Sequence, residues 1–96
     1  MNIKQDEKYE GKDWWRWSVW LEGIDANKVK NVTWKLHPSF PEPERVVSDP
    51  STNFKLQTAG WGTFTVKADV LMTDGTTKRL EHELELHYPD GTLTTE

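Results

Sequence analysis

The sequence predicts an all-β protein, an antiparallel β-sandwich, and three observations carry that prediction. Apolar residues recur with a period of two through most of the chain, nothing longer than a helical turn shows the 3.6 period, and turn-forming clusters separate about seven short runs. Ninety-six residues make one domain with a small core and leave no room for a second.

Residues 1–11 are polar and charged, and are expected to stay flexible or to add a short edge strand; the sandwich itself is expected over residues 12–91. The first clear strand places Trp15, Trp17, Val19 and Leu21 on one face, with Trp14, Arg16, Ser18, Trp20 and Glu22 on the other. Val32, Trp34 and Leu36 alternate with Thr33 and Lys35, a second strand that delivers the chain into residues 37–41. Val46 and Val47 mark a short strand, and residues 54–57 another, bounded by Asp49-Pro50-Ser51 and Gly60. Phe64, Val66, Ala68 and Val70 form the inward row of a longer strand, which Asp74-Gly75 turns into a hairpin with residues 78–86. There Leu80, His82, Leu84 and Leu86 face in, and Glu81, Glu83 and Glu85 face out. Pro89-Asp90-Gly91 ends the fold with a turn, leaving 92–96 as a polar tail.

Composition narrows the function. A formal charge of −4 argues against a binder of phosphate backbones, so no direct nucleic-acid partner is expected, and it suits a cationic peptide. The absence of cysteine removes disulfides, thiol nucleophiles and thiolate metal sites. No apolar run approaches a membrane span and no signal-peptide pattern opens the chain, so an intracellular, membrane-free protein is expected. The sequon Asn31-Val32-Thr33 lies in a predicted strand and is expected to go unused.

Two segments carry the chemistry. Leu36-His37-Pro38-Ser39-Phe40-Pro41 brackets a serine and a ring between prolines that fix φ and withhold N–H groups, which predicts a rigid loop. Gly60-Trp61-Gly62-Thr63-Phe64 places a ring between glycines that let the backbone bend and approach a ligand. A ring from each loop, the Ser39 hydroxyl and the Trp61 N–H suit a flat, polarised amide better than a reacting substrate. His37 beside Ser39 is no hydrolytic pair, because there is no Gly-x-Ser-x-Gly elbow, orienting third group or evident oxyanion hole. The three histidines lack ligand spacing, and His82, on the apolar row, reads as a hydrogen-bonded core residue, so neither metal nor cofactor is expected. Of the six tryptophans, Trp17 and Trp34 sit on inward rows and read as core, whereas Trp61 reads as a loop residue.

These motifs, with Trp17-Ser18-Val19-Trp20-Leu21-Glu22-Gly23, Val32-Thr33-Trp34-Lys35 and Leu84-Glu85-Leu86-His87, resemble the YEATS domain in order and approximate spacing over residues 14–89. The resemblance implies an immunoglobulin-like sandwich whose end loops read acylated lysine, in eukaryotes mostly on histone tails. It implies a ligand site made of His37, Ser39, Phe40, Gly60, Trp61 and Gly62, with Ser39 bonding the acyl amide, His37 supporting the loop, and Glu83 meeting a basic residue beside the acyl-lysine. Eukaryotic members often carry a third cage aromatic four residues before the tryptophan matching Trp17. That position is Asp13 here, and Trp14 or Trp15 is the candidate substitute. The short polar leading segment resembles a compact, prokaryotic version.

The reading is a non-enzymatic domain that binds acetyl- or crotonyl-lysine on a peptide or protein, as a monomer or a module of a larger assembly. It would be cytoplasmic in a prokaryote and nuclear, with a histone-tail partner, in a eukaryote. Two other classes stand beside it: a carbohydrate-binding sandwich with Trp14, Trp20 and Trp61 as its platform, and a scaffold that kept the fold without a ligand.

Overall fold

Alternation is read out in the computed structural model, which describes residues 1–94, as seven strands in two antiparallel sheets. They are β1 (Asn2–Gly11), β2 (Trp14–Glu22), β3 (Val29–Lys35), β4 (Glu44–Val47), β5 (Leu56–Gly60), β6 (Thr65–Met72) and β7 (Thr77–Glu83). One sheet has the order β1-β2-β5 and the other β4-β3-β6-β7. The inward row of β2 faces the rows Val32/Trp34 and Val66/Ala68/Val70, and Trp15, Val19, Leu21, Val32, Trp34, Val66, Ala68 and Val70 are all fully buried. Trp34 also lends its indole N–H to the Phe54 carbonyl at 2.9 Å, so its polar edge is not left unpaired in the core.

Residues 1–11 are neither frayed nor short. They form a ten-residue edge strand whose inward row is Ile3, Gln5, Glu7 and Tyr9. Its two polar members close the seam between the sheets. Gln5 Oε1 accepts from the Glu85 N–H at 3.0 Å and meets His82 Nε2 at 2.7 Å, while Gln5 Nε2 donates to the Glu85 carbonyl at 2.6 Å. Glu7 Oε2 accepts from the His87 N–H, and Oε1 from its Nδ1, both at 2.7 Å. Alternation was hidden because polar side chains occupy inward positions, and their partners lie about eighty residues away.

The β1–β2 hairpin turns on Lys12 and Asp13, both left-handed (φ 55° and 56°), a geometry that matches the twist of the flanking strands. A register shift between Tyr9 and Gly11 precedes the turn, and beyond it Trp14 points outward and Trp15 inward.

The strand expected at 54–57 begins two residues later. A 3₁₀ turn, Pro50–Thr52, capped by Asp49, leaves Asn53 and Phe54 left-handed at φ 54° and 59°. For a bulky residue this costs about 1–3 kcal/mol, and full burial of the Phe54 ring offsets it. The strand expected to run through 78–86 stops at Glu83, after which Leu84 and Leu86 stay buried in an irregular segment. The polar tail turns back: residues 92–94 return along 86–88 through the Pro89-Asp90-Gly91 turn and a His87–Leu93 bridge. Residues 95 and 96 of the expected tail lie outside the described residues. Among the described residues no helix is long and apolar enough to cross a membrane.

Candidate functional site

The two sequence motifs meet. The 37–41 loop leaving β3 and the 61–64 segment between β5 and β6 line one cleft of 330 Å³ together with Trp14, Ala59 and Gly60. His37, Ser39, Phe40, Gly60, Trp61, Gly62 and Trp14 are therefore brought together. Glu83 is not. It lies on the outward face of β7, where its register partner Thr65 donates a hydroxyl hydrogen bond to it.

Phe40 and Trp61 play unequal parts. Phe40 is half-buried and packs against Phe64, with ring centroids 5.5 Å apart, and against Trp17 at 6.2 Å; Trp17 and Phe64 are 5.8 Å apart. It is a wall fixed to the core. Trp61 is 58% exposed and Trp14 44%, so these two rings form the cleft's open margin. Trp15, the other candidate for the missing aromatic, is fully buried and its indole N–H binds the His87 carbonyl at 2.8 Å. Asp13 is committed elsewhere: its carboxylate accepts from the Tyr88 hydroxyl at 2.8 Å and its N–H donates to Tyr9 Oη at 3.2 Å. The Asp13 bond raises the Tyr88 hydroxyl pKa.

Gly60 is not a loop residue but the last residue of β5, paired with Trp15. A Cβ there would stand 3.3 Å from Phe40 Cζ and 3.8 Å from Trp17 Nε1, so any side chain at this position would press on the closely approaching Phe40 ring. The Trp17 indole N–H is buried without a hydrogen-bond partner. Phe40 and Phe64, both edge-on to it, are its neighbours.

The proline-bracketed loop is held from inside and outside. Inside, the Ser39 N–H, which can only donate, reaches His37 Nδ1 at 3.1 Å, making that nitrogen an acceptor and placing the ring proton on Nε2. The Ser39 hydroxyl lies 2.8 Å from the same Nδ1, whose single in-plane lone pair already faces the Ser39 N–H. Outside, Arg45 donates to the carbonyls of Pro41 at 3.2 Å and Glu42 at 3.3 Å and to the Thr58 hydroxyl at 3.3 Å, with its guanidinium 5.9 Å from the Phe40 ring centroid. Sequence reasoning missed Arg45. Pro41, Thr63 and Phe64 lie within the two motifs and Ala59 beside one, but none of them is among the expected site residues, and all four line the cleft. Trp20, grouped with Trp14 and Trp61 as a sugar platform, is outside the cleft: Lys55 stands 5.4 Å from its ring and its N–H binds Glu22. Among the described residues no cluster of His, Asp or Glu could hold a metal ion.

The profile of the prokaryotic YEATS domain matches residues 15–85, a span that begins at Trp15 and contains both cleft loops. The chain belongs to this family. Its YEATS fold also matches solved structures. One, the Yaf9 YEATS domain recognizing an H3K122suc peptide, has a TM-score of 0.70 and 25% identity over 88% of this chain and 69% of that one. Another, the Yaf9 YEATS domain bound to H3K27ac, has a TM-score of 0.73 over 96% of this chain and 73% of that one, and at 21% identity speaks to the fold alone. Among full-length relatives, an AF-9 homolog of Eremothecium gossypii is 32% identical over 78 residues, covering 74% of this chain and 36% of its own length. Transcription initiation factor TFIID subunit 14 of Schizosaccharomyces pombe is 33% identical over 90 residues, covering 90% of this chain and 35% of its own. This YEATS chain thus spans about a third of the curated relatives it matches.

Proposed function

We propose that the cleft is a non-enzymatic reader of acetyl- or crotonyl-lysine. The observation that carries this reading is the lining: rings, glycines and the hydroxyls of Ser39 and Thr63, with no Asp, Glu, Lys or Arg among the described residues that line the cleft. Free lysine would give up its hydration there without meeting a carboxylate, whereas acylation removes the charge and leaves a planar amide that stacks on rings. Ser39 Oγ, held beside His37, accepts from the amide N–H, and the Trp61 backbone N–H donates to the acyl carbonyl. Phe40 is the fixed wall and Trp61 the movable one, with Trp14 in the place of the absent third aromatic. His37 orients Ser39, and Gly60 and Gly62 let Phe40 and Trp61 come close.

The Yaf9 YEATS domain recognizing an H3K122suc peptide supports the ligand class, and the TFIID subunit among the relatives supports a module within a larger assembly. The partner is an acylated-lysine peptide or protein. A few contacts, less the cost of ordering a flexible segment, give an affinity on the order of 10–100 μM.

Titrating one peptide backbone bearing crotonyl-, acetyl-, trimethyl- or unmodified lysine tests the reading. The expected order is crotonyl, then acetyl, with unmodified lysine weakest, because a conjugated planar chain covers more ring surface. Tightest binding to trimethyl-lysine would make the rings a cation cage instead, and equal weak binding of all four would favour a ligand-free scaffold.

A further inference from the structure

The cleft continues onto the outer face of the three-stranded sheet. There a wider, open depression of 510 Å³ is lined by residues 6–8 of β1, 16–18 of β2 and 57–59 of β5, the Glu7 carboxylate among them being held by His87. Ala59 lines both cavities, and Trp14, at the margin of the cleft, occupies the outward position next to Arg16. Register explains the hollow. Lys8, Arg16 and Ala59 make one cross-strand row and Asp6, Ser18 and Gln57 the next. Ser18 and Ala59 are short, while Trp14 and Trp20 stand at either end of the Arg16–Ser18 stretch.

The row nearest the cleft is electrostatically unfinished. Lys8 and Arg16 are direct cross-strand partners, and like charges placed so destabilise a sheet. Arg16 is 77% exposed and has a long contact of 3.8 Å to Glu10, and Lys8 makes no ion pair among the described residues. Asp6 lies one row farther from the cleft, opposite Ser18. Two juxtaposed cations beside a neutral ligand cleft make a local positive patch, opposite in sign to the chain's net charge of −4, that suits an anion from outside.

We propose that Lys8 and Arg16 bind a carboxylate of the partner: an aspartate or glutamate two to four residues from the acylated lysine, on an extended flank laid across the three-stranded sheet. Successive outward positions on a strand are about 7 Å apart, so the cationic row lies within reach of a segment leaving the cleft past Trp14. This assignment rests on the acyl-lysine reading of the cleft and gives that site a preference for acid-flanked lysines over lysines set among basic residues.

Fluorescence anisotropy in low salt tests it, with crotonyl-lysine peptides of neutral backbone carrying Asp, Ala or Lys at positions two to four on each side, and each peptide also unacylated. The wild-type protein is expected to bind the Asp-flanked acyl peptide about three- to fivefold tighter than the Ala-flanked one, with Lys-flanked weakest and the spread shrinking as salt is raised. The double variant Lys8→Glu/Arg16→Glu, its fold checked by thermal melt, is expected to reverse the order. Acyl-dependent binding indifferent to the flank, or an Asp preference that survives the double variant, overturns this proposal and leaves the cleft reading standing. Equal binding of acylated and unacylated peptides overturns the cleft reading, and this one with it.

Discussion

Two aromatic clusters share β2, one sealed and one open. In the sealed cluster Tyr9, Trp15 and Tyr88 pack with centroids 5.0 to 5.5 Å apart, and the Trp15 N–H, the Tyr88 hydroxyl and the Tyr9 hydroxyl all meet partners from the chain. In the open cluster Trp17, Phe40 and Phe64 are similarly close, yet the Trp17 N–H has no partner and Trp61 and Trp14 reach solvent. Gly60 stands between them, paired with Trp15 on one side and leading into Trp61 on the other. Rings whose polar edges are closed by the chain stabilise the fold. In the open cluster Phe40 is fixed to the core while Trp61 and Trp14 stay exposed, the faces that the proposed reading gives to a ligand.

The largest effect expected from that contrast is on stability. Trp15→Ala should cost about 3–5 kcal/mol in urea unfolding, whereas Trp61→Ala should change stability by about 0.5 kcal/mol or less and remove detectable crotonyl-peptide binding. The reverse pattern would mean that sealed and open clusters had been exchanged. A smaller effect is expected at the back of the open cluster. Arg45→Lys keeps the charge but cannot span Pro41, Glu42 and Thr58 at once, so crotonyl-peptide affinity should fall about fivefold, the worth of one net hydrogen bond, with the melting temperature little changed. Unaltered affinity would leave Arg45 no part in holding Phe40.

The smallest effect concerns the seam beside the sealed cluster. Burial lowers the His82 pKa, against the raising influence of Glu85 and Glu83, so the folded protein resists protonation there more than the unfolded chain does. Stability from this residue is full above the ordinary histidine pKa near 6.5 and is lost as pH falls toward the lowered value. His82→Gln should therefore flatten the decline in melting temperature between pH 7.5 and pH 5.5. An equal decline in both proteins would place the acid sensitivity elsewhere.

The sandwich, the inward rows of β2, β3 and β6 and both cleft loops were legible because each rests on local pattern: alternation for the strands, prolines and glycines for the loops. What escaped depends on distant partners. β1 was unreadable because Gln5 and Glu7 occupy inward positions and are satisfied by His82, Glu85 and His87. The late start of β5 follows from the left-handed Phe54, and the role of Gly60 from the arrival of Phe40, twenty residues earlier in sequence. Glu83, expected from the family resemblance to meet a basic residue beside the acyl-lysine, pairs with Thr65 on the outward face of β7 and does not line the cleft.

The most direct test of the division is a titration followed through the six indole N–H resonances in a ¹⁵N-labelled sample. On addition of crotonyl-lysine peptide, Trp61 and Trp14 are expected to shift most and Trp17, beneath Phe40, less, while Trp15 and Trp34 hold their positions. Shifts centred on Trp20, or a uniform response that includes Trp15 and Trp34, would contradict the account.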